Sequence, residues 1–127
     1  MFKAGGVSRK EIGDRAEALA LAHLERQGMT LVERNYRVAR GPSARAGEVD
    51  LILRDRDGML VFAEVRARTD SRFGGAGASV GRSKQRRVVY AAQHYLLRFT
   101  ALPPCRFDVV TVDAGRIEWL PGAFDAA

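Results

Sequence analysis

The stretch from Gly47 to Arg68, GEVDLILRDRDGMLVFAEVRAR, sets two carboxylates, Asp50 and Glu64, inside segments that otherwise have the apolar, β-branched make-up of buried strands. The Asp57-Gly58 pair between them is a hairpin signal, because the tight turns that suit twisted strands need residues at ease with positive φ. It predicts antiparallel strands over 48–54 and 59–66. Side chains alternate along a strand, so Glu48, Asp50 and Ile52 share one face and Val49, Leu51 and Leu53 the other. On the second strand Phe62, Glu64, Arg66 and Arg68 stand together, opposite Val61, Ala63 and Val65. A turn near 56 and 57 brings position 50 to within about one register step of 64, where even diagonal neighbours on one face are only about 7–8 Å apart.

Two carboxylates that close repel each other and each resists leaving water, so a cation or several donors must compensate. A divalent metal is one such compensator, and ligation by oxygen alone suits Mg²⁺ or Mn²⁺ rather than zinc. The competing arrangement is a cross-strand ion-pair ladder on a solvated face, with Glu64 against Arg66 and Asp50 against Arg66 or Arg68. Spacing alone leaves both open.

The remaining elements must carry this hairpin. Ser8 and Glu11 have capping-box spacing, and Ile12, Ala16, Leu19, Ala20 and Leu24 recur at helical intervals behind them, predicting a helix over 9–27 ended by Gly28. MTLVERNYRV reads as a first strand, and ARGPSARAG as a basic loop before the hairpin. The hairpin is followed by the glycine-rich TDSRFGGAGASVGRS, whose Gly74, Gly75 and Gly77 lack the lysine and context of a phosphate-binding loop. Ser83 is positioned to cap a second helix running to about residue 98, with Val88, Ala91, Ala92, Tyr95 and Leu96 as its apolar stripe and Lys84, Arg86 and Arg87 opposite. Past Pro103-Pro104, CRFDVVTV and RIEWL form a further hairpin across Asp113-Ala114-Gly115, and the final GAFDAA is expected to fray. The order is αβββαββ, a mixed α/β arrangement in one domain spanning 1–127.

The formal charge is +6, and arginine supplies all but three of the 21 basic residues. A polyanionic partner suits that surplus, since the planar guanidinium can hold two phosphate oxygens and stays charged at any physiological pH. A chain merely rich in arginine would carry the same total, so placement has to decide. The one cysteine, Cys105, permits no internal disulfide and sits in an apolar run as a small buried hydrophobe would. No apolar run approaches the length of about 20 residues that spans a bilayer, and the N-terminus has no signal-peptide core, so the expected compartment is the cytoplasm, without a membrane partner. His23 and His94 fall within helical patterns without a third ligand at metal-binding spacing, and Trp119 reads as a core residue.

Asp50, a gap of 13 residues, then Glu64-Val65-Arg66 resembles the PD-(D/E)XK nuclease signature, whose two acids bind metal and whose lysine lies two residues after the second. Over nearly the whole chain, GDRAEALALAHLERQGMTLVERNYR, GEVDLI, VFAEVRAR, RFG and RFDVV together resemble the bacterial YraN family. The resemblance implies a restriction-endonuclease-like core, a mixed central sheet flanked by helices, related in shape to Holliday-junction resolvases. It implies Mg²⁺ or Mn²⁺ held by Asp50, Glu64 and the backbone carbonyl of Val65, with Glu17 on the first helix as an outer ligand. By the same resemblance Arg66 would contact the scissile phosphate, while Arg68, Arg72, Lys84, Arg86 and Arg87 would follow a nucleic-acid backbone, DNA before RNA. Fold-level analogy with the resolvases adds a homodimer. One departure matters: the motif lysine is Arg66. Arginine stabilises phosphate charge but is a poor proton shuttle, so either Arg66 acts electrostatically, or Lys84 supplies an ammonium, or the domain binds nucleic acid without cutting it.

Overall fold

A computed structural model describes residues 6–39, 46–68 and 80–126. Arg72, Gly74, Gly75, Gly77 and most of the basic loop before the hairpin lie outside the described residues. The elements run α1 (Arg9–Arg26), β1 (Thr30–Val38), β2 (Gly47–Arg54), β3 (Leu60–Arg68), α2 (Arg82–Leu96), β4 (Cys105–Asp113) and β5 (Arg116–Phe124). No helix among the described residues is long and apolar enough to cross a membrane.

Helix α1 starts as its sequence dictates. The Ser8 hydroxyl accepts from the Glu11 amide at 3.1 Å and the Glu11 carboxylate accepts from the Ser8 amide at 2.9 Å, so two otherwise orphaned N–H groups are satisfied reciprocally. Gly28, at φ +101, takes the left-handed step that ends the helix. For α2 the cap differs from expectation. Gly81 is the N-cap without a side-chain bond, and Ser83 lies inside the first turn.

The five strands form one sheet in the order β1-β2-β3-β4-β5. Neighbours are antiparallel except β3 and β4, which run parallel because α2 crosses between them. Each helix covers one face. Ile52, Leu60, Phe62 and Phe107 pack with Val88, Ala91, Ala92 and Tyr95 of α2. Leu51, Leu53, Val61, Ala63 and Val110 pack with Ala20 and Leu24 of α1. Burying both faces explains the nearly continuous apolar runs of β2, β3 and β4.

Val49 departs from simple alternation. It packs on the α2 side with Ile52 rather than on the α1 side with Leu51. Strand β1 does the same: Arg34 reaches Glu17 of α1, whereas Tyr36 packs edge-on to Tyr95 of α2. The reversal falls between the register pairs Arg34↔Leu51 and Tyr36↔Val49, and between them lie Asn35 and Asp50. Asn35 is left-handed there, with φ +51.

Two end-of-chain expectations also change. Cys105, at the first position of β4, is exposed rather than buried. The terminal segment does not fray at Phe124, which pairs with Phe107 and stacks on it at 5.1 Å between ring centroids. Buried Asp108 fastens this edge by accepting from the Trp119 indole N–H at 3.0 Å, the Gly122 amide at 2.9 Å and Arg106 Nε at 3.0 Å.

Candidate functional site

The β2–β3 ladder runs from Arg54↔Leu60 to Leu51↔Ala63 and stops. The β3–β4 ladder continues to Arg68↔Asp113. Strands β2 and β3 therefore part at a fork, and one further register step would set Asp50 directly opposite Glu64. The amide of Val65, which points into the fork, finds no β2 carbonyl and instead donates to Asp50 Oδ2 at 2.8 Å. In an extended strand a residue's N–H and C=O lie on the same edge, so the Val65 carbonyl also faces the fork.

Around it lies a polar cleft of about 590 Å³ lined by Arg9, Gly13, Ala16, Glu17, Asp50, Glu64, Val65, Arg66, Ala67 and Lys84. Residues of both helices reach it because the ribbon turns over at Asp50. Glu17 enters from α1, held by Asn35 Nδ2 at 3.3 Å and Arg34 at 3.6 Å. Lys84 enters from the first turn of α2, its Nζ 3.3 Å from Glu64 Oε2. Of the competing ladder, the Glu64–Arg66 pair does not form among the described residues: Glu64 pairs with Lys84, and Asp50 accepts from a backbone amide.

Electrostatically the cluster is under tension. Glu64 is 1% exposed, and its buried Oε1 receives no N–H donor among the described residues; once protonated, the carboxyl hydrogen-bonds to Asp50. Burial first, and the charge of Asp50 second, push its carboxyl up to about 8, while Lys84 pulls the other way. Burial likewise raises Asp50 above the ordinary carboxylate range, opposed by the Val65 N–H and by Lys84. Glu17 is raised by burial and then by Asp50's charge. Arg34 pairs with Glu17 and Lys84 with Glu64, while Asp50 has only a backbone amide, so the two buried acids at the fork share a single ammonium.

Among the described residues no three His, Cys, Asp or Glu side chains close into a preformed metal cage. The donors facing the fork are two buried carboxylates and a strand carbonyl. Such a set fits Mg²⁺ or Mn²⁺, which keep several waters and are commonly held by one or two carboxylates plus substrate phosphate.

The comparisons with known proteins bear on this set. A profile of the uncharacterised protein family UPF0102 matches residues 16–112, which span Glu17, Asp50, Glu64, Arg66 and Lys84. The chain belongs to this family. It is 59% identical over 121 residues to the UPF0102 protein Mpe_A3766 of Methylibium petroleiphilum, covering 95% of this chain and 99% of that one. It is 61% identical over 115 residues to a UPF0102 protein of Acidovorax sp. strain JS42, covering 91% and 85%. Among solved structures, the crystal structure of SSO0001 overlaps 92% of this chain at a TM-score of 0.43 and 16% identity, and the overlap spans 54% of that chain.

Of the residues singled out from sequence, Glu17, Asp50, Glu64, Val65, Arg66 and Lys84 meet in one cleft. Lys84, readable from sequence as an ordinary surface charge, is only partly exposed and engaged with Glu64. Arg68 lines a separate, apolar hollow with Ile12, Leu19 and Val112. Arg87 is ion-paired with Glu48 at 2.9 Å, and Arg86 is exposed on α2 outside the cleft. Arg9 and Asn35 were not signalled by the motif pattern. Arg9 precedes the apolar periodicity of α1, and an asparagine in a strand marks a conformation only once its φ is known.

Proposed function

We propose that this protein is a metal-dependent nuclease, hydrolysing phosphodiester bonds in nucleic acid, with DNA as the expected substrate. The observation that carries the reading is the pair of buried acids, Glu64 and Asp50, side by side at a fork in the sheet, with no N–H donor to Glu64 Oε1 among the described residues. Asp50, Glu64 and the Val65 carbonyl would hold Mg²⁺ or Mn²⁺, with Glu17 orienting outer-sphere water. When bound, such an ion lowers the pKa of a coordinated water and neutralises charge on the phosphate. The chain's own cations do the rest. Lys84, 3.3 Å from Glu64, holds an ammonium at the cleft wall where Arg66 stands in place of the motif lysine. Arg66 and Arg9 line the same cleft and make no ion pair among the described residues, leaving their guanidinium groups to phosphate oxygens.

The test is a cleavage panel of single-stranded, duplex, flap and four-way DNA with Mn²⁺, alongside melting curves. Mn²⁺ raises the melting temperature of the wild type but not of Asp50→Asn, and the same substitution and Glu64→Ala abolish cleavage. An identical metal response in wild type and Asp50→Asn removes the proposal.

A second reading, a nucleic-acid-binding module without hydrolysis, is favoured by one observation, the arginine at position 66. It predicts salt-dependent binding that survives Asp50→Asn, and no cleavage with any metal. Cleavage gained in Arg66→Lys assigns the loss to that position.

A further inference from the structure

Strand β1 contains a residue whose backbone a strand does not ordinarily tolerate. Asn35 has φ +51, a left-handed conformation open to asparagine at modest cost and strongly disfavoured for β-branched residues. The other left-handed non-glycine among the described residues, Ala114, sits in the β4–β5 turn, where such a conformation is ordinary. A left-handed residue inside a strand is a feature the surrounding structure must over-determine, and such features cluster where a site is being shaped.

Its consequences can be followed atom by atom. Asn35 stands beside Asp50, between the pairs Arg34↔Leu51 and Tyr36↔Val49. Before it, Arg34 extends towards α1 and bonds Glu17; after it, Tyr36 packs against α2 and bonds His94 at 2.6 Å. The partner strand reverses at the same level, with Leu51 in the α1 core and Val49 in the α2 core. Asp50 at the point of reversal meets the Val65 amide, Lys84 of α2 and the field of Glu17 from α1. The Asn35 carboxamide itself donates to Glu17 Oε1 at 3.3 Å.

We infer that Asn35 is a positioning residue: its left-handed backbone turns the β1–β2 ribbon over and aims Asp50 into the fork between β2 and β3. In its functional consequence this rests on the proposed cation site, but the aim of Asp50 can be read without any metal. The Val65 amide lies beyond the last β2–β3 pair and its acceptor is Asp50 Oδ2, so its hydrogen exchange reports whether that carboxylate is in position. The amide of Ala63, inside the ladder, reports whether the sheet is intact.

Hydrogen exchange of the metal-free full chain is compared for wild type, Asn35→Gly, Asn35→Val and, as the reference for a lost acceptor, Asp50→Ala. Glycine reaches left-handed φ freely, and valine does not. Val65 stays protected in Asn35→Gly and exchanges as fast in Asn35→Val as in Asp50→Ala, while Ala63 remains protected throughout. Calorimetric titration with Mn²⁺ then gives a Kd for Asn35→Gly within about threefold of wild type and for Asn35→Val weakened by about 10–100-fold, the range of a lost supporting contact at a metal. Protection of Val65 in a folded Asn35→Val overturns the inference. If Asn35→Val does not fold, Asn35→Gly decides alone: fast Val65 exchange with Ala63 still protected overturns the inference, and retained protection upholds it. A wild type that binds no Mn²⁺ yet shows this exchange pattern upholds the positioning role and removes the cation site instead.

Discussion

A carboxylate raised to about 8 inside a folded protein is a statement about stability as well as chemistry. For Glu64 the folded value lies above the unfolded one, so the protonated acid is the form the fold prefers. Its contribution is fully present below the ordinary carboxylate pKa of about 4.3 and is lost as pH rises through about 8. In metal-free protein, stability therefore declines across that window, with a slope approaching about 1.4 kcal/mol per pH unit from this one group. Glu64→Gln loses this group's share of the decline and keeps those of Asp50 and Glu17, so its stability falls less steeply with pH than the wild type's in urea unfolding. If the proposed site holds Mn²⁺, saturating metal reverses the sign in the wild type alone, because binding requires the deprotonated acid and expels its proton. Lys84 belongs to the same balance. Replacing it with methionine keeps its aliphatic stem but leaves Glu64 Oε2 without its ammonium; on the proposed nuclease reading, Lys84→Met lowers cleavage by about 10²–10³-fold, in line with losing one positioned charge-stabilising group, while Mn²⁺ still raises the melting temperature. The acids were visible in the sequence because strand periodicity and one Asp-Gly turn fix their register. Their partners were less so: the reach of Lys84 depends on how closely α2 approaches β2, a tertiary distance that no local pattern encodes.

That approach is set at the level of whole elements by one glycine. A Cβ on Gly47 would stand 2.7 Å from the Tyr90 ring, 2.9 Å from the Ala91 amide nitrogen and 3.1 Å from the Arg87 carbonyl oxygen. Two of these are helix backbone, which cannot swing aside, so α2 rests directly on the first residue of β2. Gly47→Ala forces the helix off the strand and destabilises the fold by about 1–3 kcal/mol, the usual penalty for overpacking, as measured by urea denaturation. Because Lys84 lies on the same helix, on the proposed nuclease reading the variant also lowers cleavage beyond what its remaining folded fraction explains. The first helix and the hairpin follow from caps, periodicity and Gly28. The reversal of faces at Asn35 and Asp50 does not, since alternation was read as unbroken and an asparagine's φ carries no periodic signal. The mispositioned cap at Ser83 has a simpler cause: Gly81 already supplies the extended residue that begins α2, so the serine hydroxyl falls two residues past the cap position.

For the molecule as a whole, the pairing of individual arginines decides which of them an anion can use. On the proposed nucleic-acid reading, affinity for duplex DNA falls with salt, log K against log[salt] being linear with a slope of about −0.9 per phosphate neutralised. Arg9→Ala and Arg66→Ala each reduce that slope by about one, whereas Arg87→Ala leaves it nearly unchanged because Glu48 already neutralises that guanidinium. Fluorescence anisotropy across a salt series reads all three. The outer strands add a constraint on how copies of the chain can meet. Strand β1 carries a register shift between Leu31 and Glu33 as well as left-handed Asn35, and β5 carries Pro121 followed by Gly122 at φ +60, whose amide is spent on Asp108. Neither margin is a regular strand, and each break in regularity makes the sheet a poorer template for a second molecule's strand than a straight, bare β-margin would be.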